Sequence, residues 1–152
     1  MVSVIVPVYN GKEKVYQCLT SIFDTAYKDF EVIVVDDNSP ESGAIEDVIK
    51  GFPCKYIRLL ENQGAAVARN EGAKNSKGDV LLFTDSDCIV PKDWVKDCQV
   101  ELLAQNKRDP KVAAIAGRLE SHRSMIEMSQ MYSLYAFVIN GPERSMDFFN
   151  TS

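Results

Sequence analysis

The hydrophobic positions of this chain change period repeatedly between residues 2 and 116. Near-continuous apolar runs, Val2 to Val6, Phe30 to Val35, Tyr56 to Leu60, Val80 to Phe83 and Val112 to Ala116, have the pattern of short strands buried in a sheet. Pro7 should halt the first of them, because proline cannot donate into a central ladder. Between the runs the spacing turns helical. Val15, Cys18, Leu19, Ile22 and Phe23 fall at i, i+3, i+4, i+7 and i+8, the stripe of an amphipathic helix. A short helix is expected around Ile45 to Ile49, and another from Ala65 to Asn75, where Ala65, Ala68 and Gly72 would let it lie close to a sheet. A fourth should run from about Lys92 to Asn106, with Pro91 near its start, where the missing N–H is harmless. Met125, Met128, Tyr132, Tyr135 and Ile139 recur at three and four and predict a last helix over 125–139. The order βαβαβαβαβ indicates an α/β protein with a doubly wound, mainly parallel sheet.

The polar residues gather where strands end. The fourth strand runs straight into Thr84-Asp85-Ser86-Asp87. Burying an unpaired carboxylate is costly, so this pair must be solvated, hydrogen-bonded or bound to a cation. An Asp-x-Asp at the carboxyl end of a parallel strand suits a hard divalent ion that keeps room for substrate phosphates, and it equally suits a solvated turn. The second strand ends in Asp36-Asp37-Asn38-Ser39, the third in Glu61-Asn62-Gln63-Gly64 and the first in Pro7-Val8-Tyr9-Asn10-Gly11. In a parallel sheet these ends share one edge, and their polar groups together imply a pocket. No G-x-G-x-x-G follows the first strand and no G-x-x-x-x-G-K-[ST] occurs anywhere, so the two standard glycine-loop devices for phosphate are missing. Phosphate charge would have to be met by a metal at Asp87 and by a cationic side chain, with Arg69 the candidate.

Composition narrows the class. A chain of 152 residues, 45% hydrophobic and 26% charged, fits one domain with a real core. Its net charge of −5 argues against a nucleic-acid groove, which needs a clustered basic face. No apolar run reaches the length of a membrane span, and Met1 leads directly into a strand, so neither a span nor a signal peptide is expected and the setting should be cytoplasmic. Cys18, Cys54, Cys88 and Cys98 lack metal-type spacing and read as reduced core thiols.

The run Val4-Ile5-Val6-Pro7-Val8-Tyr9-Asn10, the turn Val34-Val35-Asp36-Asp37-Asn38-Ser39, Asn62-Gln63-Gly64 with Ala68-Arg69-Asn70 and Gly72, and Thr84-Asp85-Ser86-Asp87 together resemble the family 2 glycosyltransferases. The resemblance implies an inverting enzyme with the A-type glycosyltransferase fold. Residues 1–117 would be its nucleotide-sugar-binding region, and residues 118–152 the start of an acceptor-side region. It further implies Mg²⁺ or Mn²⁺, a nucleotide-sugar donor with UDP-sugars foremost and GDP- or dTDP-sugars open, and a saccharide or lipid-linked acceptor. Carried across by position, Pro7, Val8 and Tyr9, with Asn10, match the loop against base and ribose. Asp37 matches the residue that hydrogen-bonds the uracil edge, while Asp36 is more often structural. Asp85 would lie near the ribose and metal shell and Asp87 would coordinate the metal between the phosphates. Arg69 would face the diphosphate or steady the Asp turn, and Gly64 and Ser86 complete the nucleotide-binding set.

Plainer readings stand beside these. Tyr9 could cap the edge of the core, Arg69 could be a solvated helix residue, and Asn10 and Asn38 could be turn formers only. His122 reads as a solvated loop residue, and Trp94 and the Met-Tyr stripe as packing surface. The general base of the family is a carboxylate well downstream of the D-x-D. Glu120, Glu127, Glu143 and Asp147 carry no motif that singles one out, so the chain reads as an N-terminal portion of a longer enzyme whose base lies beyond Ser152. Two other classes stay open: a non-catalytic nucleotide-binding remnant, and a phospho-accepting receiver domain. The latter wants its acidic pair after the first strand and a lysine after the fifth, where this chain has Pro7-Val8-Tyr9 and Gly117-Arg118.

Overall fold

The computed structural model describes residues 1–111, 114–116 and 135–138. In chain order the elements are β1 (Val2–Val8), α1 (Lys12–Phe23), β2 (Phe30–Asp36), α2 (Ser42–Ile49), β3 (Lys55–Arg58), α3 (Ala65–Lys74), β4 (Val80–Phe83), α4 (Trp94–Arg108), β5 (Ala114–Ala116) and β6 (Tyr135–Val138). They form one sheet in the order β3-β2-β1-β4-β6-β5, in which β1 to β4 are mutually parallel. The α/β, mainly parallel architecture expected from the sequence is therefore present. The chain builds outward from β1 through β2 to β3, then crosses to the other side of β1 to lay down β4. That reversal is a topological switch point, and ligands of open α/β sheets bind outside the carboxyl ends of the strands that flank it.

Strand alternation divides the core between two faces. Val2, Val4, Val6 and Val8 of β1, with Val32 and Val34 of β2, pack under Val15, Cys18, Leu19 and Ile22 of α1, Ile45 and Ile49 of α2, and Trp94, Val95 and Leu102 of α4. Ile33 and Val35 turn to the opposite face, against Ala68 of α3. Small residues bring α3 close, as the spacing of Ala68 and Gly72 suggested. A Cβ on Gly72 would overlap Ile5 Cγ2 and stand 3.3 Å from Val35 Cγ2. Ile5 is fully buried and has nowhere to go. Gly72→Ala is therefore expected to be net destabilising: about 1–3 kcal/mol of overpacking outweighs the gain of about 1 kcal/mol in helix propensity. A denaturation midpoint at or above that of the parent would show that α3 can lift off the sheet at no cost.

Three expectations need correction. The first strand does not stop at Pro7 but continues to Val8. The Ile5 carbonyl faces β4, where it accepts from the Thr84 N–H, whereas the Val8 carbonyl faces β2, where it accepts from the Asp37 N–H. By alternation the missing N–H of Pro7 faces the β4 side, beyond the last ladder pair of Ile5 with Phe83, so no ladder bond is lost. Second, the helix expected over 125–139 is replaced at Tyr135–Val138 by β6, antiparallel to β4; the rest of that span lies outside the described residues. A short aromatic and aliphatic run cannot be told from a helix by periodicity, and here it pairs with the open edge of β4. Third, β5 pairs with β6 at the sheet edge rather than extending the parallel order beside β4.

Candidate functional site

The carboxyl ends of β1, β2 and β4 enclose a cleft of about 430 Å³ at the switch point. Its lining includes Pro7, Val8, Tyr9, Asn10, Asp37, Asp85, Ser86 and Asp87, so most of the residues singled out from the sequence do meet. Each arrives by a local device. After β1, Asn10 (φ 62°) and Gly11 (φ 79°) both adopt left-handed backbone, which turns the chain sharply into α1; asparagine tolerates that region and glycine is at home in it. The Asn10 N–H donates to Ser39 Oγ at 2.8 Å, tying the loop to the turn after β2. Tyr9 is left half exposed on the rim rather than closing the core. After β4, the Cys88 N–H donates to the Asp85 carbonyl at 3.1 Å, closing a turn around Ser86 and Asp87, and the Cys18 thiol donates to the same carbonyl from α1.

The two acids after β2 have separate duties. Asp36 is fully buried, with Oδ1 accepting from the Ser39 N–H at 2.9 Å and Oδ2 from the Tyr56 hydroxyl at 2.8 Å. Burial and this hydrogen bond to the carboxylate push the Tyr56 phenol well above its ordinary pKa, so it stays a donor. Asn38 (φ 57°) shapes the same turn and accepts from Arg58. Asp37 lines the cleft although it is almost wholly buried. Its Oδ1 accepts from the Gln63 N–H at 2.8 Å and its Oδ2 from the Gly64 N–H at 2.7 Å, at the start of α3. Each oxygen keeps a second lone pair for a ligand donor.

Gly64 and Arg69 do not line the cleft themselves. Gly64 acts through its N–H on Asp37, and Arg69 through an ion pair with Asp85 Oδ1, so the guanidinium steadies the Asp turn. Lys14, Gly11 and Ala65 line the cleft without having been anticipated. Lys14 places Nζ 3.6 Å from Asp87 Oδ2. Its signal was available, since a lysine in the first turn of a helix that follows a strand end must lie near that end. Both α1 and α3 begin behind a glycine with no side-chain cap, and the positive ends of their dipoles abut the cleft. His122, Glu120, Glu127, Glu143 and Asp147 lie outside the described residues.

The thiols beside the site are not set up for thiolate chemistry. Burial, reinforced by the neighbouring Cys88 and by the carboxylates of Asp87 and Asp85, raises Cys18 far above the ordinary thiol range, and burial carries Cys88 to about 11. Both are neutral thiols at physiological pH and poor ligands or nucleophiles. All four cysteines are free. Among the described residues no group of three or more His, Cys, Asp or Glu could cage a metal. Asp85 and Asp87 nonetheless fit Mg²⁺ or Mn²⁺, which use one or two carboxylates and complete their shell with water and substrate phosphate.

The model of glycosyl transferase family 2 matches residues 3–147. This chain belongs to that family. An uncharacterized glycosyltransferase of Haemophilus influenzae is 48% identical over 101 residues, 66% of this chain and 34% of that protein. Among solved structures, Staphylococcus aureus TarS 1-349 in complex with UDP-GlcNAc superposes with a TM-score of 0.60 at 31% identity, over 70% of this chain and 32% of its own. The mannosyltransferase PcManGT of Pyrobaculum calidifontis, in complex with GDP-Man and Mn²⁺, reaches 0.71 at 25% identity, over 90% and 44%. The family 2 chain thus has the A-type glycosyltransferase fold and spans about a third of the length of the Haemophilus relative. Membership sets the receiver-domain alternative aside, in line with a first strand that ends without an acidic pair.

Proposed function

We propose that this chain forms the donor site of an inverting glycosyltransferase that takes a nucleotide-diphosphate sugar, with a UDP-sugar first among the candidates. The observation that carries the reading is the convergence of Tyr9, Asp37, Asp85 and Asp87 on one cleft at the switch point of a family 2 fold. Relatives of that fold solved with UDP-GlcNAc and with GDP-Man and Mn²⁺ support it. Tyr9, Pro7 and Val8 would lie against base and ribose, and Asp37 would accept from the uracil N3–H. Guanine offers N1–H and its amino group to the same carboxylate, whereas adenine offers a poor match. Asp87, with Asp85 and Ser86 beside it, would hold Mg²⁺ or Mn²⁺, which supplies charge stabilisation for the departing diphosphate. The N-termini of α1 and α3 add to that stabilisation from the protein itself.

In this reading an acceptor hydroxyl, on a saccharide or lipid-linked acceptor, attacks the anomeric carbon from the face opposite the diphosphate and inverts it. None of the cleft's carboxylates suits the role of general base, because Asp37 and Asp85 are engaged by Gln63, Gly64 and Arg69 and Asp87 is reserved for the metal. The base is therefore sought outside the described residues, in the acceptor-side region from residue 118 onward, with residues 1–117 as the donor region. Among the described residues no helix is long and apolar enough to cross a membrane; a cytoplasmic setting is part of this reading and is carried by no observation of its own. The test is calorimetric titration with UDP, GDP and ADP in Mn²⁺ and in EDTA. UDP binding in Mn²⁺ that collapses in EDTA is expected. Equal affinity in both would remove the metal from the reading, and no binding of UDP or GDP in either would remove the donor site.

A further inference from the structure

We infer that Lys14 is a counter-cation that pairs with Asp87 in the nucleotide-free protein and is handed to the donor's diphosphate, so that metal and nucleotide bind cooperatively. The inference rests on the donor-and-metal reading above and adds a residue to it. The two acids of the Asp85-Ser86-Asp87 turn are held in different ways. Asp85 is paired with Arg69, whose side chain is only 15% exposed and therefore fixed in place. Asp87 is paired with Lys14, whose side chain is 54% exposed, and among the described residues that is the one ion pair Lys14 makes. A half-exposed lysine on a four-carbon stem can leave its partner at little cost, which a packed guanidinium cannot.

An ammonium 3.6 Å from Asp87 Oδ2 stands where it opposes a dication approaching the same carboxylate. The nucleotide-free protein should accordingly bind metal weakly. A diphosphate in the cleft changes the balance, because Lys14 lines that cleft and gains a second anionic partner as the metal takes the first. Whatever the nucleotide does for metal affinity, the metal must do equally for nucleotide affinity.

The test is a Mn²⁺ titration followed by the electron paramagnetic resonance of free Mn²⁺, on the full chain without nucleotide and with saturating UDP. The parent, Lys14→Met and Lys14→Arg are compared. Methionine keeps an unbranched stem and removes the charge. In Lys14→Met the nucleotide-free Mn²⁺ affinity should rise by about three- to tenfold, the scale of a partly screened charge contact, and the tightening by UDP should shrink. Lys14→Arg should stay near the parent. Unchanged Mn²⁺ affinity and unchanged coupling in Lys14→Met would overturn the role of Lys14 while leaving the metal site standing. No Mn²⁺ binding in any variant, even with UDP, would overturn both.

Discussion

Asp87→Ala is expected to remove metal-dependent UDP binding while leaving the fold intact. Among the described residues Asp87 forms one ion pair, with the half-exposed Lys14 at 3.6 Å, so its loss should change stability by no more than about 0.5 kcal/mol. Affinity for UDP in Mn²⁺ should drop by roughly a hundredfold, the upper end for losing a charged contact worth about 1.5–3 kcal/mol, and should then match the value in EDTA. Asp85→Ala should separate from it in the opposite sense. Removing that carboxylate takes an ion-pair partner from the largely buried Arg69 guanidinium, so the thermal midpoint should fall while UDP binding falls less. Calorimetry and a thermal melt on the same three samples check both statements. If Asp87→Ala bound UDP as the parent does in Mn²⁺, the acid would not be a metal ligand.

Asp37→Ala should fail in two ways at once. The carboxylate joins the end of β2 to the start of α3 by accepting from Gln63 and Gly64, and its removal leaves both N–H groups short of an acceptor. That should cost about 1–3 kcal/mol of stability, read as a lower denaturation midpoint. The folded fraction should also bind UDP roughly tenfold to a hundredfold more weakly, as expected for a lost charged hydrogen bond to the base. The specific signature is selectivity. The parent should prefer UDP to ADP, and the variant should approach parity between them. A parent that binds ADP as tightly as UDP would show that Asp37 holds α3 in place and reads no base. Asp36→Ala should act on stability alone, since Ser39 and Tyr56 take its oxygens and it does not line the cleft.

The sequence by itself determined the alternation of strands and helices up to α4, because buried parallel strands need unbroken apolar runs and the helices between them need a three-four stripe. It also determined which residues stand at strand ends, and hence that Tyr9, Asp37, Asp85 and Asp87 share an edge, since a parallel sheet puts every carboxyl end on one side. What it could not hold was anything decided between segments distant in the chain. Whether Tyr135–Val138 coils or pairs depends on the open edge of β4, more than fifty residues earlier, and periodicity carries no information about that edge. Whether Pro7 breaks a strand depends on which neighbour its N–H would have met, and thus on where β4 ends. The partners of the acids belong to the same class. Arg69 on Asp85, Lys14 on Asp87 and the Gln63 and Gly64 amides on Asp37 join segments 16 to 73 residues apart. Residue type could mark these carboxylates as costly to bury, but only the packed sheet, by fixing the distances between its loops, decided which charge or amide answers each of them.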